Sequence, residues 1–151
     1  MTPEAIALIR ASYAGVAANP RQLAARFYAE LFAKAPHLRP LFPGDLTSLQ
    51  GHFEAALALV VRNLDEISAL SESLRDLGAQ HVHWGARPED YVTAREALVA
   101  AVGGLSPSWD PTLERHWRNA VTAIVVPMLE GAAVHTAMAA EQLAADASDP
   151  A

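Results

Sequence analysis

Apolar residues recur every three or four positions along almost the whole chain, and this spacing restricts the fold more than any other feature. Ile67, Leu70, Leu74, Leu77 and His81 follow one another at intervals of three, four, three and four. Such a run lines one face of an α-helix, because 3.6 residues make a turn. Period-two alternation, the mark of a half-buried strand, forms no convincing run anywhere, so the chain is expected to be all-α. Ile6, Ile9, Tyr13 and Val16 form a first helical stripe, with Thr2 as cap and Pro3 in the first turn. Leu23, Phe27 and Leu31 form a second, beside Ala24, Tyr28 and Phe32, with Asn19 and Gln22 spaced as a capping box around Pro20. Leu46, Leu49, Phe53, Leu57, Val60 and Leu64 make a third, with Asp45 or Thr47 as cap.

Helix punctuation divides the rest. The proline-rich stretch "APHLRPLFPGD" holds only a turn or a short helix. Gly85 is a C-terminal stop for the run ending at His81. Pro88 opens a helix with Tyr91, Ala94, Leu98 and Val102 inward, weakened at its end by Gly103 and Gly104. Asp110 caps and Pro111 opens the last helix, where Leu113, Trp117, Ala120 and Ile124 are inward and Pro127 is expected to introduce a kink. Six to seven helices around one core follow. At 151 residues the length suits one domain.

Composition removes whole classes of function. The net charge is −6, with 11 basic residues against 17 acidic ones and no basic stripe, which argues against nucleic acid. Cysteine is absent, so disulfides and thiolate metal sites are excluded. The longest strictly apolar run, Ala55–Val61, is too short to span a bilayer, and the N-terminus lacks the pattern of a secretory signal. A cytoplasmic protein without a membrane partner is expected.

His81 is the residue that invites a chemical reading. A histidine on an apolar helix face is usually a core residue bonded to a carbonyl. His81, however, closes its stripe near a helix end, where it can border a cavity. Its Nδ1–H can reach the carbonyl one turn back, near Leu77, leaving the Nε2 lone pair for a metal. His83 lies about 200° further round and points elsewhere. No H-E-x-x-H or Glu-x-x-His repeat is present, so a metal site built wholly of side chains is poorly supported. A single axial histidine suffices for haem, whose porphyrin supplies four nitrogens. Phe27, Phe42 and Phe53 could line a slot for it, or could simply be core aromatics.

The segments "ARFYAELFAKAPHLRPLF", "VVRNLDEI" and "LGAQHVHWGARPEDY" at their mutual separations resemble bacterial single-domain globins and the haem domain of flavohaemoglobins. The resemblance covers residues 5–131 and implies a globin fold with a haem pocket; the globin domain is expected over 1–131, followed by an Ala-rich helical extension and tail over 132–151 whose end, "ADASDPA", is expected to fray. It implies haem b as cofactor, with His81 as the proximal iron ligand and Leu77 beside it. Phe42 takes the place of the phenylalanine that packs against the porphyrin. Tyr28 takes that of the distal tyrosine donating a hydrogen bond to bound gas, worth about 1–2 kcal/mol. Tyr91 takes that of a tyrosine in the proximal hydrogen-bond network. Tyr28 and Tyr91 also have plain readings as core tyrosines. Leu49 stands where many relatives have glutamine, with Gln50 about 100° away; Phe53 and Leu57 are the other pocket walls. Glu130 falls about two positions early for the family's proximal glutamate.

The resemblance further implies reversible binding of O2, and of NO and CO. It extends to oxidation of NO to nitrate if a separate reductase supplies electrons, since no dinucleotide fingerprint is present. A haem-based gas sensor acting through a partner protein is the alternative.

Overall fold

The computed structural model describes residues 1–19 and 21–148. Among these there are six α-helices and no strand: α1 (Pro3–Val16), α2 (Gln22–Lys34), α3 (Thr47–Arg62), α4 (Ser71–His83), α5 (Pro88–Leu105) and α6 (Pro111–Ser148). Two 3-10 segments, Pro36–Leu41 and Leu64–Leu70, precede α3 and α4.

The caps explain most of the boundaries. Thr2 Oγ1 accepts from the Ala5 amide at 3.1 Å and Asp110 Oδ1 from the Leu113 amide at 2.7 Å, each satisfying a helix N-terminal donor. Asp45 Oδ1 accepts from the Thr47 amide at 3.0 Å, just ahead of α3. The Asp90 carboxylate reaches back to the Arg87 amide at 2.8 Å. The expected cap at Asn19 is not formed. α2 instead starts after Arg21, held in left-handed geometry (φ 72°) with no side-chain cap; the expectation for Pro20 lies outside the described residues.

The stripe from Ile67 to His81 does not belong to one helix. Glu66 has non-helical torsions (φ −132°, ψ 42°), Ile67 and Leu70 sit on the 3-10 segment, and α4 starts only at Ser71. A 3-10 turn advances by three residues, so the spacing survives across the break. Pro127 does not end α6, which continues to Ser148. Of the segment "ADASDPA", residues 145–148 are helical and residues 149–151 lie outside the described set.

The core is one large cluster, with Ile9 and Trp117 almost wholly buried, and a smaller one around Leu74, Tyr91 and Met128. Trp117 Nε1 donates to Ser12 Oγ at 2.7 Å, so the buried indole keeps a partner. α4 and α6 meet backbone to backbone. A Cβ on Gly78 would lie 1.9 Å from the Met128 carbonyl oxygen, and one on Gly131 would lie 2.0 Å from that of Arg75. Both opposing atoms are main chain, so relief requires moving a helix. Gly131→Ala is therefore expected to lower stability by about 3 kcal/mol, at the upper end for overpacking, while exposed Gly15→Ala is expected to be neutral or stabilising. Urea unfolding monitored by circular dichroism checks the pair.

Candidate functional site

Two groups of residues face the question of function, one on α2, α3 and the loop between them, the other on α4 and α5. In the first, Tyr28 sits in an aromatic assembly. Its ring lies 5.7 Å from Phe42 and 6.0 Å from Phe53, and Phe53 stacks on Phe27 at 4.4 Å. Leu57 is buried in the same cluster and Leu49 packs against it. Gln50, next to Leu49, is half-buried.

Phe42 is fixed by a residue that the sequence reading did not single out. The Arg39 guanidinium donates to the carbonyls of Phe42, Pro43 and Gly44 at 3.2, 2.9 and 3.1 Å. It also lies 5.2 Å over the Phe32 ring. One cation thus closes the corner after the prolines, where a short 3-10 segment leaves carbonyls unpaired.

Tyr28 is buried, 7% exposed, and burial alone pushes its phenol above the ordinary value. Its hydroxyl finds no hydrogen-bond partner among the described residues, so the reading of a core tyrosine held by a carbonyl is not what the structure has. A neutral phenol O–H in apolar surroundings is a donor awaiting an acceptor.

On the other side, His81 is half-buried at the C-terminal end of α4. Its Nδ1 lies 2.8 Å from the Leu77 carbonyl oxygen, the contact expected from helical geometry. Nδ1 then carries the proton and donates, leaving Nε2 with a free lone pair. Burial, the larger effect, pulls the imidazole pKa below its ordinary value, and the Leu77 hydrogen bond opposes this. The ring is neutral at neutral pH. Trp84 and Tyr91 flank it, with centroids at 5.1 and 6.1 Å.

The helix end is locked beneath His81. Gly85 takes φ 98°, its amide bonds the Val82 carbonyl at 3.0 Å, and the Ala86 amide bonds the His81 carbonyl at 2.9 Å. These are the two bonds of a Schellman stop, which only glycine at the left-handed position makes without strain. The Cβ position of Gly85 also lies 3.2 Å from Leu41, which joins the α4 terminus to the Phe42 corner.

One expected proximal contact takes another route, and the misplaced glutamate is engaged elsewhere. The Tyr91 hydroxyl donates to the Gly78 carbonyl at a long 3.5 Å rather than to His81. Glu130 pairs with Arg75 at 3.2 Å on a half-exposed surface and does not enter a network with the histidine. The sequence reading missed Gly78 and Gly131 as well. An isolated glycine inside a helical pattern was the signal that could have found them.

The donor set fits a haem. Among the described residues no group of three or more His, Asp or Glu could hold a metal alone. One neutral imidazole with a free Nε2 amid apolar and aromatic walls meets what a porphyrin iron asks of a protein.

Comparison with known proteins identifies relatives of the chain. The family model described as Globin matches residues 25–128. The chain is 29% identical over 132 residues to a leghemoglobin of Psophocarpus tetragonolobus, covering 81% of this chain and 91% of that protein. It is 24% identical to an anaerobic nitrite reductase of Oryza sativa subsp. indica, covering 82% and 90% respectively. Two solved structures share the fold. A bacterial globin from Campylobacter jejuni has a TM-score of 0.76 at 19% identity, with 87% and 96% covered. An engineered carbene transferase from a candidate nitric oxide dioxygenase of Rhodothermus marinus has a TM-score of 0.78 at 24% identity, with 92% and 99% covered.

Because the Tyr28 hydroxyl has no protein partner, Tyr28→Phe is expected to cost the haem-free protein less than about 0.5 kcal/mol, below a typical buried hydrogen bond. Equilibrium urea denaturation of the apoprotein measures it; a loss of 1.5 kcal/mol or more would reveal a hidden partner.

Proposed function

The chain belongs to the globin family, and on that premise we propose that it holds haem b through His81 and binds O2 reversibly, with NO and CO as further ligands. The observation that carries the reading is a free His81 Nε2 together with a Tyr28 side chain that is buried and whose hydroxyl has no hydrogen-bond partner among the described residues. When bound, the haem supplies an iron centre able to take a diatomic gas.

The protein's own part is positional and electrostatic. Leu77 accepts the Nδ1 proton of His81, which fixes the tautomer and aims Nε2 away from the helix. Phe42, Leu49, Phe53 and Leu57 exclude water from the distal side. Tyr28 holds its proton, since burial raises the phenol pKa, and so offers a hydrogen bond to a gas that gains negative charge. Oxidation of NO to nitrate is a further capacity consistent with this arrangement. It requires electrons from a separate reductase, and the likeness to the Rhodothermus marinus protein supports it at the level of fold.

His81→Gly is expected to abolish stable haem incorporation, read as loss of the Soret band of protein purified after expression with haem supply. A normal Soret band in that variant removes His81 from the role. Tyr28→Phe is expected to speed O2 dissociation several-fold or more, in keeping with the loss of about 1–2 kcal/mol. Stopped-flow rates unchanged from the parent would take Tyr28 out of gas binding.

A further inference from the structure

The last 16 residues of α6 lie exposed, with none of them buried against another described element. All residues from Ala133 to Ser148 are exposed, including Val134 (59%), Met138 (64%) and Leu143 (70%). At 1.5 Å per residue this extension projects roughly 24 Å beyond the body. Short isolated helices are marginal in water, and this one is apolar over most of its circumference.

The apolar positions are ordered. Val126, Leu129, Ala133, Thr136, Ala140, Leu143 and Ala147 recur at three, four, three, four, three and four. This is a 3.5-residue repeat held for three heptads, the pattern of a helix-pairing seam. Val126 is 47% exposed and every seam member from Ala133 onward is exposed; Leu129 is half-buried. Thr136 turns its hydroxyl onto the Ala132 carbonyl at 2.9 Å, leaving its methyl for the seam. The polar residues His135, Gln142 and Asp146 fall, at 100° per residue, in register with Trp117, Ile124 and Met128, the face that α6 turns to the body. The extension therefore presents its apolar seam away from its own core.

We propose that residues 126–147 of α6 form an antiparallel two-fold contact with the same segment of a second copy of the chain. Antiparallel register places Leu143 of one copy beside Val126 of the other, Ala140 beside Leu129, and Ala133 beside Thr136. Large residues meet at the ends and small ones at the centre, which lets the helices approach closely. The helix dipoles select the direction. No Lys or Arg occurs in residues 119–148, so no cation there offsets the aligned helix dipoles of a parallel pair. The antiparallel pair opposes the dipoles.

The body supplies a seat for the incoming helix. A groove of about 500 Å3 runs beside Val126, lined by Ile67, Ser71, Arg75, Thr122, Ala123 and Glu130 among others. In the two-fold arrangement the Leu143 end of the second copy comes to this side of α6. A strip about 33 Å long and about 10 Å wide amounts to several hundred Å2 per copy. With the groove wall added, it approaches the roughly 600 Å2 per partner at the lower end of specific interfaces. The contact therefore belongs among the small, transient interfaces. It is independent of the haem reading and forms with or without haem.

Sedimentation velocity of the full chain from micromolar to millimolar concentration tests it. The expected result is a rise of the weight-average mass toward twice 16.1 kDa. Leu143→Glu and Ala140→Glu, both at exposed positions, are expected to remain monomeric with unchanged helicity by circular dichroism. A nitroxide on Asp146→Cys is expected to give a distance of roughly 35 Å within the dimer, set by 23 residues of helix rise. A wild-type chain monomeric throughout, or variants that associate like it, would overturn the proposal. A label distance under about 20 Å, as side-by-side parallel helices would give, would overturn it too. So would Leu143-dependent flotation with phosphatidylcholine–phosphatidylglycerol vesicles without self-association. That outcome would assign the seam to a lipid surface, since α6 is also long and apolar enough to cross a bilayer by length and composition.

Discussion

The close crossing of α4 on α6 at Gly78 and Gly131 is the constraint from which the rest of the architecture follows. Two main chains that meet without side chains between them fix both the separation and the angle of the helices, because a rigid backbone leaves no rotamer to adjust. α4 carries His81 at its far end, three residues from Gly78. Any shift at the crossing is therefore passed to the imidazole within one helical turn. The Schellman stop at Gly85 holds the other side of the same turn, so His81 lies between two backbone anchors. The second anchor also touches Leu41, tying the histidine's helix to the corner that carries Phe42.

The two halves of the site are built by different means. The α4 side is positioned through backbone: a glycine crossing, a left-handed glycine and an intrahelical carbonyl. The α2–α3 side is positioned through aromatic packing, in which Phe27, Tyr28, Phe32, Phe42 and Phe53 contact one another. Arg39 is the exception, a cation that locks loop carbonyls under that assembly. Backbone anchoring suits a ligand whose direction must be fixed. Aromatic packing suits a wall that excludes water and isolates one hydroxyl.

Much of this was legible in the chain before its coordinates. The apolar stripes located α1, α2, α3, α5 and the start of α6, because periodicity reports burial directly. Thr2, Asp110 and Gly85 marked the ends they cap, because a cap needs only local geometry. His81 and its bond to Leu77 followed from helix geometry alone. The failures are of one kind. The change from the 3-10 segment to α4 at Ser71 was hidden because 3-10 and α turns can share a three-residue step, so the stripe ran through it. Asn19 was read as a cap because spacing does not reveal that Arg21 adopts left-handed torsions. Gly78 and Gly131 act through partners 50 and 56 residues away, and Arg39 through carbonyls 5 or fewer residues away, so the two glycine contacts lie beyond the reach of a local pattern.

What Nδ1 of His81 touches bears on which chemistry the proposed haem would support. A carboxylate on Nδ1 draws the proton, gives the ring imidazolate character and raises its donation to iron. Here the acceptor is a peptide carbonyl that is uncharged and belongs to the same helix. The one glutamate that could have approached from α6, Glu130, is held by Arg75 on the outer surface. Tyr91, the neighbour best placed to assist, donates to Gly78 instead. The histidine is thus a neutral, modest donor. Under the proposed function, with no strong push from that side, stabilisation of a gas would fall to the Tyr28 hydroxyl. A site arranged in this way holds a polarised ligand by hydrogen bonding rather than driving cleavage of its bond. Within the proposed function, that places reversible binding ahead of oxidation chemistry as what these side chains favour.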